Sequence, residues 1–186
     1  MEEKIRRTID QSIAVHNGVY NMIPQVRDAA KIMTQCITAG NKIMFAGNGG
    51  SAADAQHLAA ELVNKFLRQR KPLPGLALTT DTSIITAIGN DCSFDEVFSK
   101  QVQALGRKGD VFLGISTSGN SKNIIDAFSA ARAMGISTIA LSGEGGRMHE
   151  MADCTIAVPS SLTPRVQEVH ILIGHILCEI IEDAHA

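Results

Sequence analysis

The chain has 186 residues and a mass of 19.8 kDa, which is enough for one domain with a substantial core. Apolar residues make up 45% and charged residues 19% of the chain, a balance that excludes an intrinsically disordered protein. The formal net charge of −2 argues against a nucleic-acid-binding surface, and no apolar run reaches the roughly 20 residues of a membrane span.

Helical and strand patterns alternate along the chain. Apolar residues four apart predict a helix over 2–20, and Pro24 begins a second helix that ends near Ala39. Five short apolar segments then predict strands: NKIMFAG, GLALTT, VFLGIS, STIALS and CTIAVP. Further helices are predicted over 52–68 with Ser51 as cap, on both sides of Asn90-Asp91, over 122–134, after GEGGR, and over 164–183.

This alternation determines the expected fold class. Strands that are apolar on both faces and separated by helices are typical of a parallel sheet covered on both sides. The sequence therefore predicts an α/β fold, with a five-stranded parallel sheet flanked by helices and with long N- and C-terminal helices. No linker or repeat divides the chain, so one domain is expected over 1–186.

The closing helix is apolar around most of its circumference. Its apolar residues are Val166, Val169, Ile171, Leu172, Ile173, Ile176, Leu177, Ile180 and Ile181. A helix of this kind must be buried on more than one side. One interpretation is a helical subunit interface, to which the N-terminal hairpin 1–39 also contributes. The alternative is a helix packed under that hairpin within one subunit.

The cysteines and the N-terminus bear on the compartment. Four cysteines lack C-x-x-C spacing and are expected to be reduced thiols: Cys36, Cys92, Cys154 and Cys178. The N-terminus is charged from its second residue, which is unlike a secretory signal. We therefore expect a cytoplasmic protein.

Two loops follow predicted strands and precede predicted helices. The first is Asn48-Gly49-Gly50-Ser51, and the second runs from Ser116 to Ser121 in the sequence STSGNS. Glycines let backbone N–H groups approach an anion, the helix N-terminus adds a favourable dipole, and hydroxyls add uncharged donors. The loops predict a cradle for a phosphate monoester. The alternative is a pair of ordinary serine-rich caps and turns.

The first loop also fits a dinucleotide-binding pattern. Gly47, Gly49 and Ala52 have the spacing G-x-G-x-x-A, and Asp81 stands near the place of a ribose-binding acid. A single match of this kind is weak evidence, and a dinucleotide would not account for the second, serine-rich loop.

Two pairs of side chains have the spacing of metal ligands. His57 and Glu61 are four residues apart, and Gln167 and His175 are eight apart, so each pair can share one face of a helix. Together they form a ligand set acceptable to zinc. The alternative for His175 is a buried core histidine, which is also the interpretation of His170. His16, His149 and His185 are given no role.

The sequence resembles the sugar isomerase (SIS) domain family, and within it the bacterial phosphoheptose isomerases. The motifs that carry the resemblance are GNGGSAADAQH, ALTTDTS, IGND, GDVFLGISTSGNS and RVQEVHILIGH, which span nearly the whole chain. The resemblance implies a cytoplasmic homotetramer. It also implies isomerisation of D-sedoheptulose 7-phosphate to D-glycero-D-manno-heptose 7-phosphate, the first step towards the ADP-heptose of the lipopolysaccharide core.

The resemblance also assigns residues. It implies one zinc ion per subunit, held by His57, Glu61, Gln167 and His175. It implies sugar-phosphate contacts at Asn48, Gly49, Gly50, Asn90, Asp91, Ser116, Thr117, Ser118 and Ser121, with Glu61 and Gln167 also reaching the substrate. The chemistry of the first loop adds Ser51. The chain departs from many relatives at two positions. Arginine is usual in place of Lys65, and alanine or aspartate is usual in place of Pro164.

Ketose–aldose exchange needs a base near a carbon-bound proton and an acid near the oxygens. Our hypothesis is that Glu61 is the base and His175 the acid; whether Glu61 acts as base, as ligand or as each in turn stays open. The alternative function is a non-catalytic SIS module that associates with the replication initiator protein. One such relative lacks the glutamate that corresponds to Glu61, which this chain keeps.

Overall fold

The computed structural model describes all residues, 1–186. It has seven α-helices: α1 (Glu2–Asn17), α2 (Ile23–Thr38), α3 (Gly50–Val63), α4 (Thr82–Asp91), α5 (Ser99–Leu105), α6 (Lys122–Ala133) and α7 (Thr163–Asp183). Its five strands are β1 (Ile43–Gly47), β2 (Gly75–Ala77), β3 (Val111–Ser116), β4 (Ser137–Ser142) and β5 (Cys154–Ala157). Three short 3-10 helices are Gly18–Met22, Phe94–Glu96 and Arg147–Glu150. None of the helices combines the length and the apolar character needed to cross a bilayer.

The five strands form one parallel sheet in the order β2-β1-β3-β4-β5. The predicted five-stranded parallel α/β fold is therefore confirmed. The strand order reverses between β1 and β3, because the chain goes from β1 to one side and returns to β3 on the other. In sheets of this kind, ligands bind beyond the carboxyl ends of the strands at that point.

The sheet separates two hydrophobic clusters. Along β1, Ile43 and Phe45 point to a cluster formed with α2, α3 and α7, whereas Met44 points to a cluster formed with α5 and α6. Both faces are fully buried, so all five residues of β1 are inaccessible to solvent. This accounts for the continuous apolar runs of the strands, which show no alternation of polar and apolar residues.

The structure corrects three predicted boundaries in α3 and α4. α3 begins at Gly50 with Gly49 as its cap, since the φ of +56° at Gly49 suits glycine, and Ser51 lies inside the first turn. α3 ends at Val63 rather than residue 68, because the backbone at Asn64 leaves the helical region. Asn90 and Asp91 do not separate two helices, since they are the last residues of α4.

The helix α7 is covered on one broad face only. Its buried residues include Val169, Ile173 and Leu177, whereas Ile180 is 41% exposed. α1 packs beside α7 but buries none of its own residues, and its apolar stripe is about half exposed: Ile5 53%, Ile9 52% and Ile13 54%. The subunit interface and the oligomeric role of 1–39 stay predictions.

Helices α3 and α7 pack side by side and run parallel. His57 contacts His175, 118 residues further along the chain, and the Leu58 carbonyl lies 4.0 Å from the Cys178 thiol, 120 residues further along. Gly174 permits the close approach, because a Cβ there would lie 2.5 Å from a Leu58 methyl carbon. The pairing places the facing side chains of the two helices level with one another.

Candidate functional site

A polar cavity of about 340 Å³ lies at the carboxyl ends of β1 and β3, where the strand order reverses. It joins both predicted anion loops to the first turns of α7. The residues that line it are Asn48, Gly49, Gly50, Ser51, Ile115, Ser116, Thr117, Ser118, Ser121, Thr163 and Gln167. None of them is ionisable, so any anion held here is bound by neutral donors and backbone.

Three helix N-termini meet at this cavity without side-chain caps. The cap residues are Gly49 for α3, Ser121 for α6 and Leu162 for α7, and none of their side chains accepts a hydrogen bond from its helix. The first turns of a helix leave N–H groups without intrahelical partners. Those groups and the three aligned dipoles favour a bound anion.

Hydroxyl groups of the second loop complete the donor set. The Ser116 hydroxyl lies 2.8 Å from that of Ser121 and 3.4 Å from that of Ser118. Hydroxyls can rotate, so this cluster can turn its protons towards an anion. Thr163, the first residue of α7, also lines the cavity and was missed from the sequence, where it stands among residues of a plain helix start.

A pair of asparagines connects the two loops. The Asn48 carboxamide donates to Asn123 Oδ1 and accepts from Asn123 Nδ2, each at 2.9 Å. Asn123, in the first turn of α6, is 3% exposed. The pair fixes the separation of the loops and uses part of the bonding capacity of Asn48. Sequence reasoning missed Asn123, because its only signal was an amide two residues after Ser121.

A cluster of ionisable groups lies further along α3 and α7. The Nε2 atoms of His57 and His175 are 2.9 Å apart, and Glu61 Oε1 is 3.4 Å from His57 Nε2. The side chains of His57 and Glu61 are 45% and 21% exposed, so the cluster is open to ligands. The structure thus brings together three of the four predicted metal ligands.

The donor types of this cluster suit a cation, but the structure contains no group of three or more His, Cys, Asp and Glu side chains placed so that it could hold a metal ion. Two imidazoles and one carboxylate, with an open fourth position, are a ligand set of catalytic zinc. The chemistry of these donors therefore fits zinc, and the metal site itself stays a prediction.

Gln167 makes no hydrogen bond with this cluster. Its amide lies over Gly50, where a Cβ would approach Gln167 Nε2 to 2.5 Å, so Gln167 lines the anion cavity. His175 is eight residues further along α7, about 12 Å along the helix axis. The structure therefore associates Gln167 with the cavity, and its role as a metal ligand stays a prediction.

Two other predicted contacts lie outside the cavity. Asn90 and Asp91 are exposed at the end of α4, where the Asn90 amide donates to the Asp91 carboxylate at 2.7 Å. Asp81, the candidate ribose ligand, instead caps α4 by accepting from the Ile84 N–H at 2.9 Å. The assignment of Asn90 and Asp91 as substrate contacts rests on the resemblance alone. Nothing supports a ribose contact for Asp81.

The departures Lys65 and Pro164 lie next to the end of α3 and in the first turn of α7, respectively. Lys65 follows the end of α3, two residues after Val63, and Pro164 occupies the first turn of α7, where a missing N–H is tolerated. Pro164 is therefore compatible with the observed start of α7.

Two titratable groups on α7 and α3, the buried His170 and the partly buried Asp54, have shifted pKa values. His170 is fully buried in the core, as predicted, and burial lowers its pKa to about 4, an effect that the backbone of Ser142 opposes only in part. Asp54 lies on α3 one turn before His57. Burial raises the pKa of its carboxyl group, the charge of His57 opposes this, and Asp54 Oδ2 has no hydrogen-bond partner.

The chain is similar to known SIS domain proteins over nearly its whole length. A family model described as SIS domain matches residues 9–143. A phosphoheptose isomerase from Rhodospirillum rubrum is 51% identical over 185 residues, which cover 99% of this chain and 98% of that protein. The solved phosphoheptose isomerase from Neisseria gonorrhoeae has a TM-score of 0.91 and 46% identity, covering 97% of this chain and 98% of that one.

A second solved phosphoheptose isomerase, from Francisella tularensis, has a TM-score of 0.94 and 41% identity, covering 97% of each chain. These similarities extend well beyond the glycine loop and favour the sugar-phosphate interpretation over the dinucleotide one. They also favour an enzyme over a non-catalytic binding module. The chain belongs to the SIS domain family, among its phosphoheptose isomerases, and is an isomerase of sugar phosphates.

Proposed function

We propose that this isomerase converts D-sedoheptulose 7-phosphate to D-glycero-D-manno-heptose 7-phosphate, the first step towards the ADP-heptose of lipopolysaccharide. One observation carries the proposal: the helices α3 and α7 carry both the ionisable cluster and part of the lining of the anion cavity. The names of the similar proteins support the same substrate. By resemblance, we expect a cytoplasmic homotetramer.

The spacing along α3 suits a long phosphorylated sugar. Gly50 lines the anion cavity, and His57 lies seven residues further along, about 10 Å along the helix axis. A phosphate on C7 can occupy the cavity while C1 and C2 of an extended chain reach the ionisable cluster. A three-carbon sugar phosphate could not span both places, so the geometry supports a long substrate.

Proton transfer follows from the two groups at the cluster. Glu61 removes the proton from C1 of the ketose, and the resulting enediol takes a proton at C2 to leave the carbonyl at C1. His175 supplies and recovers the proton on the oxygens. Glu61 and His175 both lie within contact distance of His57, so the base and the acid act on neighbouring atoms.

A zinc ion, when bound, would be held by His57, Glu61 and His175, with Gln167 as the fourth ligand implied by the resemblance. It would supply a Lewis acid that polarises a substrate oxygen. A carboxylate bound to metal is a weaker base, so Glu61 would serve the two duties in turn. The imidazole nitrogens that bind the ion must be deprotonated, so binding of zinc would release any proton that they carry.

Glu61→Gln keeps the size of the side chain and removes the base, so we expect turnover of sedoheptulose 7-phosphate to fall at least about 1,000-fold with the fold unchanged. The assay is product formation, with circular dichroism as the check on folding. Glu179→Gln is the matched control, since Glu179 is exposed on α7, and it should keep full activity. Retained activity in the Glu61 variant would contradict the assignment.

Removal of bound metal by a chelator is expected to lower activity, and addition of zinc in stoichiometric amounts should restore it. The same treatment of a His57→Ala variant should show weaker zinc binding in a calorimetric titration. Full activity of a preparation shown by elemental analysis to be metal-free would rule out a catalytic ion.

Asn123→Ala removes the amide that holds Asn48, so the two anion loops lose their fixed separation. We expect KM for the sugar phosphate and the inhibition constant of inorganic phosphate to rise about tenfold, with a smaller change in kcat. Asn17→Ala is the control, because Asn17 is exposed and makes no capping bond. Equal phosphate inhibition of the wild type and the Asn123 variant would show that the pair does not shape the cavity.

A further inference from the structure

The segment between α3 and β2, residues 64–74, has no helix or strand, yet it is firmly held. The Glu182 carboxylate of α7 accepts three successive N–H groups, from Phe66 at 2.8 Å, Leu67 at 2.6 Å and Arg68 at 2.7 Å. Glu182 is 1% exposed. Burial alone would raise the pKa of Glu182, but these bonds and the charge of Arg70 outweigh it and lower the pKa.

Arg70 completes this arrangement from the other side. Its Nε lies 3.2 Å from Glu182 Oε1, in an ion pair with both side chains 1% exposed. Its guanidinium also donates to the carbonyls of Glu61 and Leu62, each at 2.8 Å, and of Lys71 at 3.0 Å. The pair therefore satisfies carbonyls at the end of α3, joins that end to α7, and fixes the segment between them.

One side chain of this segment reaches the ionisable cluster. The Phe66 ring lies 5.2 Å from the His175 ring, centroid to centroid, at an interplanar angle of 39°. The His57 ring lies at 5.1 Å from the same imidazole, at 58°. The His175 ring therefore packs against both Phe66 and His57, and these are its aromatic contacts. The aromatic distances fall in the range of favourable ring pairs.

We propose that Phe66 is a positioning residue of the reaction, whose ring holds the His175 imidazole in the orientation that faces His57 and Glu61. The Glu182–Arg70 pair holds Phe66 in place through the backbone. The inference rests on the proposed function, because it gives His175 its part in proton transfer. It adds Phe66, a residue that does not line the anion cavity.

The proposal separates catalysis from binding. Loss of the ring frees the imidazole to take other rotamers, so the rate of the chemical step falls, while the cavity that binds the phosphate is unchanged. Misplacement of a reacting group by an ångström lowers rates by up to about 100-fold. If Phe66 served only for packing, its loss would change the stability of the protein and would leave both kcat and KM of the folded enzyme unchanged.

The test compares Phe66→Leu, Phe66→Tyr and Leu67→Ala in the full chain with sedoheptulose 7-phosphate. Phe66→Leu should lower kcat about tenfold or more with KM within about twofold of the wild type. Phe66→Tyr keeps the aromatic ring and should therefore have a kcat close to that of the wild type. Leu67→Ala is the control in the same segment, since Leu67 is 65% exposed, and it should behave as wild type.

A second readout does not depend on turnover. The ring current of Phe66 should shift the carbon-bound proton resonances of His175 in NMR spectra of the metal-free protein, and Phe66→Leu should abolish that shift. Unchanged kcat in Phe66→Leu, an equal loss of kcat in Leu67→Ala, or an unchanged His175 resonance would each overturn the inference. A wild-type protein with no activity on sedoheptulose 7-phosphate would instead overturn the proposed function. Failure of the proposed function is therefore distinguishable from failure of the role assigned to Phe66.

Discussion

The parallel contact between α3 and α7 is the constraint on which the site depends. It is possible because Gly174 leaves room for Leu58, so the two helices approach closely along their length. The contact sets His57 and Glu61 against His175, although the last of these is more than 100 residues away in sequence. A larger residue at 174 would separate the helices and the cluster with them.

The same contact places the anion cavity and the ionisable cluster at different positions along α3 and α7. At their N-terminal ends the two helices, together with α6, present uncapped N–H groups to a cavity with no ionisable lining. Such a cavity binds an anion without placing a permanent charge near the reacting atoms. Two turns further along, the ionisable groups are concentrated where protons must move. The anion cavity and the ionisable cluster thus lie at different levels of one helix pair, and the Glu182–Arg70 ion pair joins the end of α3 to α7.

Local patterns in the sequence predicted the fold and much of the site, because strand runs, loop chemistry and helical spacing are local properties. VFLGIS and STIALS coincide with β3 and β4, and the spacing of His57 and Glu61 predicted a shared face. Asn123, Thr163 and Phe66 were missed because their roles come from tertiary contacts between loops and helices. For the same reason spacing could not show that Gln167 lies over Gly50 and not beside His175.

The most direct measurement is the position of sedoheptulose 7-phosphate in crystals of the inactive Glu61→Gln protein. The account predicts that the phosphate lies among the hydroxyls and amides of the Ser116–Ser121 loop, with C1 and C2 beside position 61 and the His175 imidazole. A sugar phosphate bound elsewhere, or one whose reacting carbons lie away from both side chains in every subunit, would contradict it.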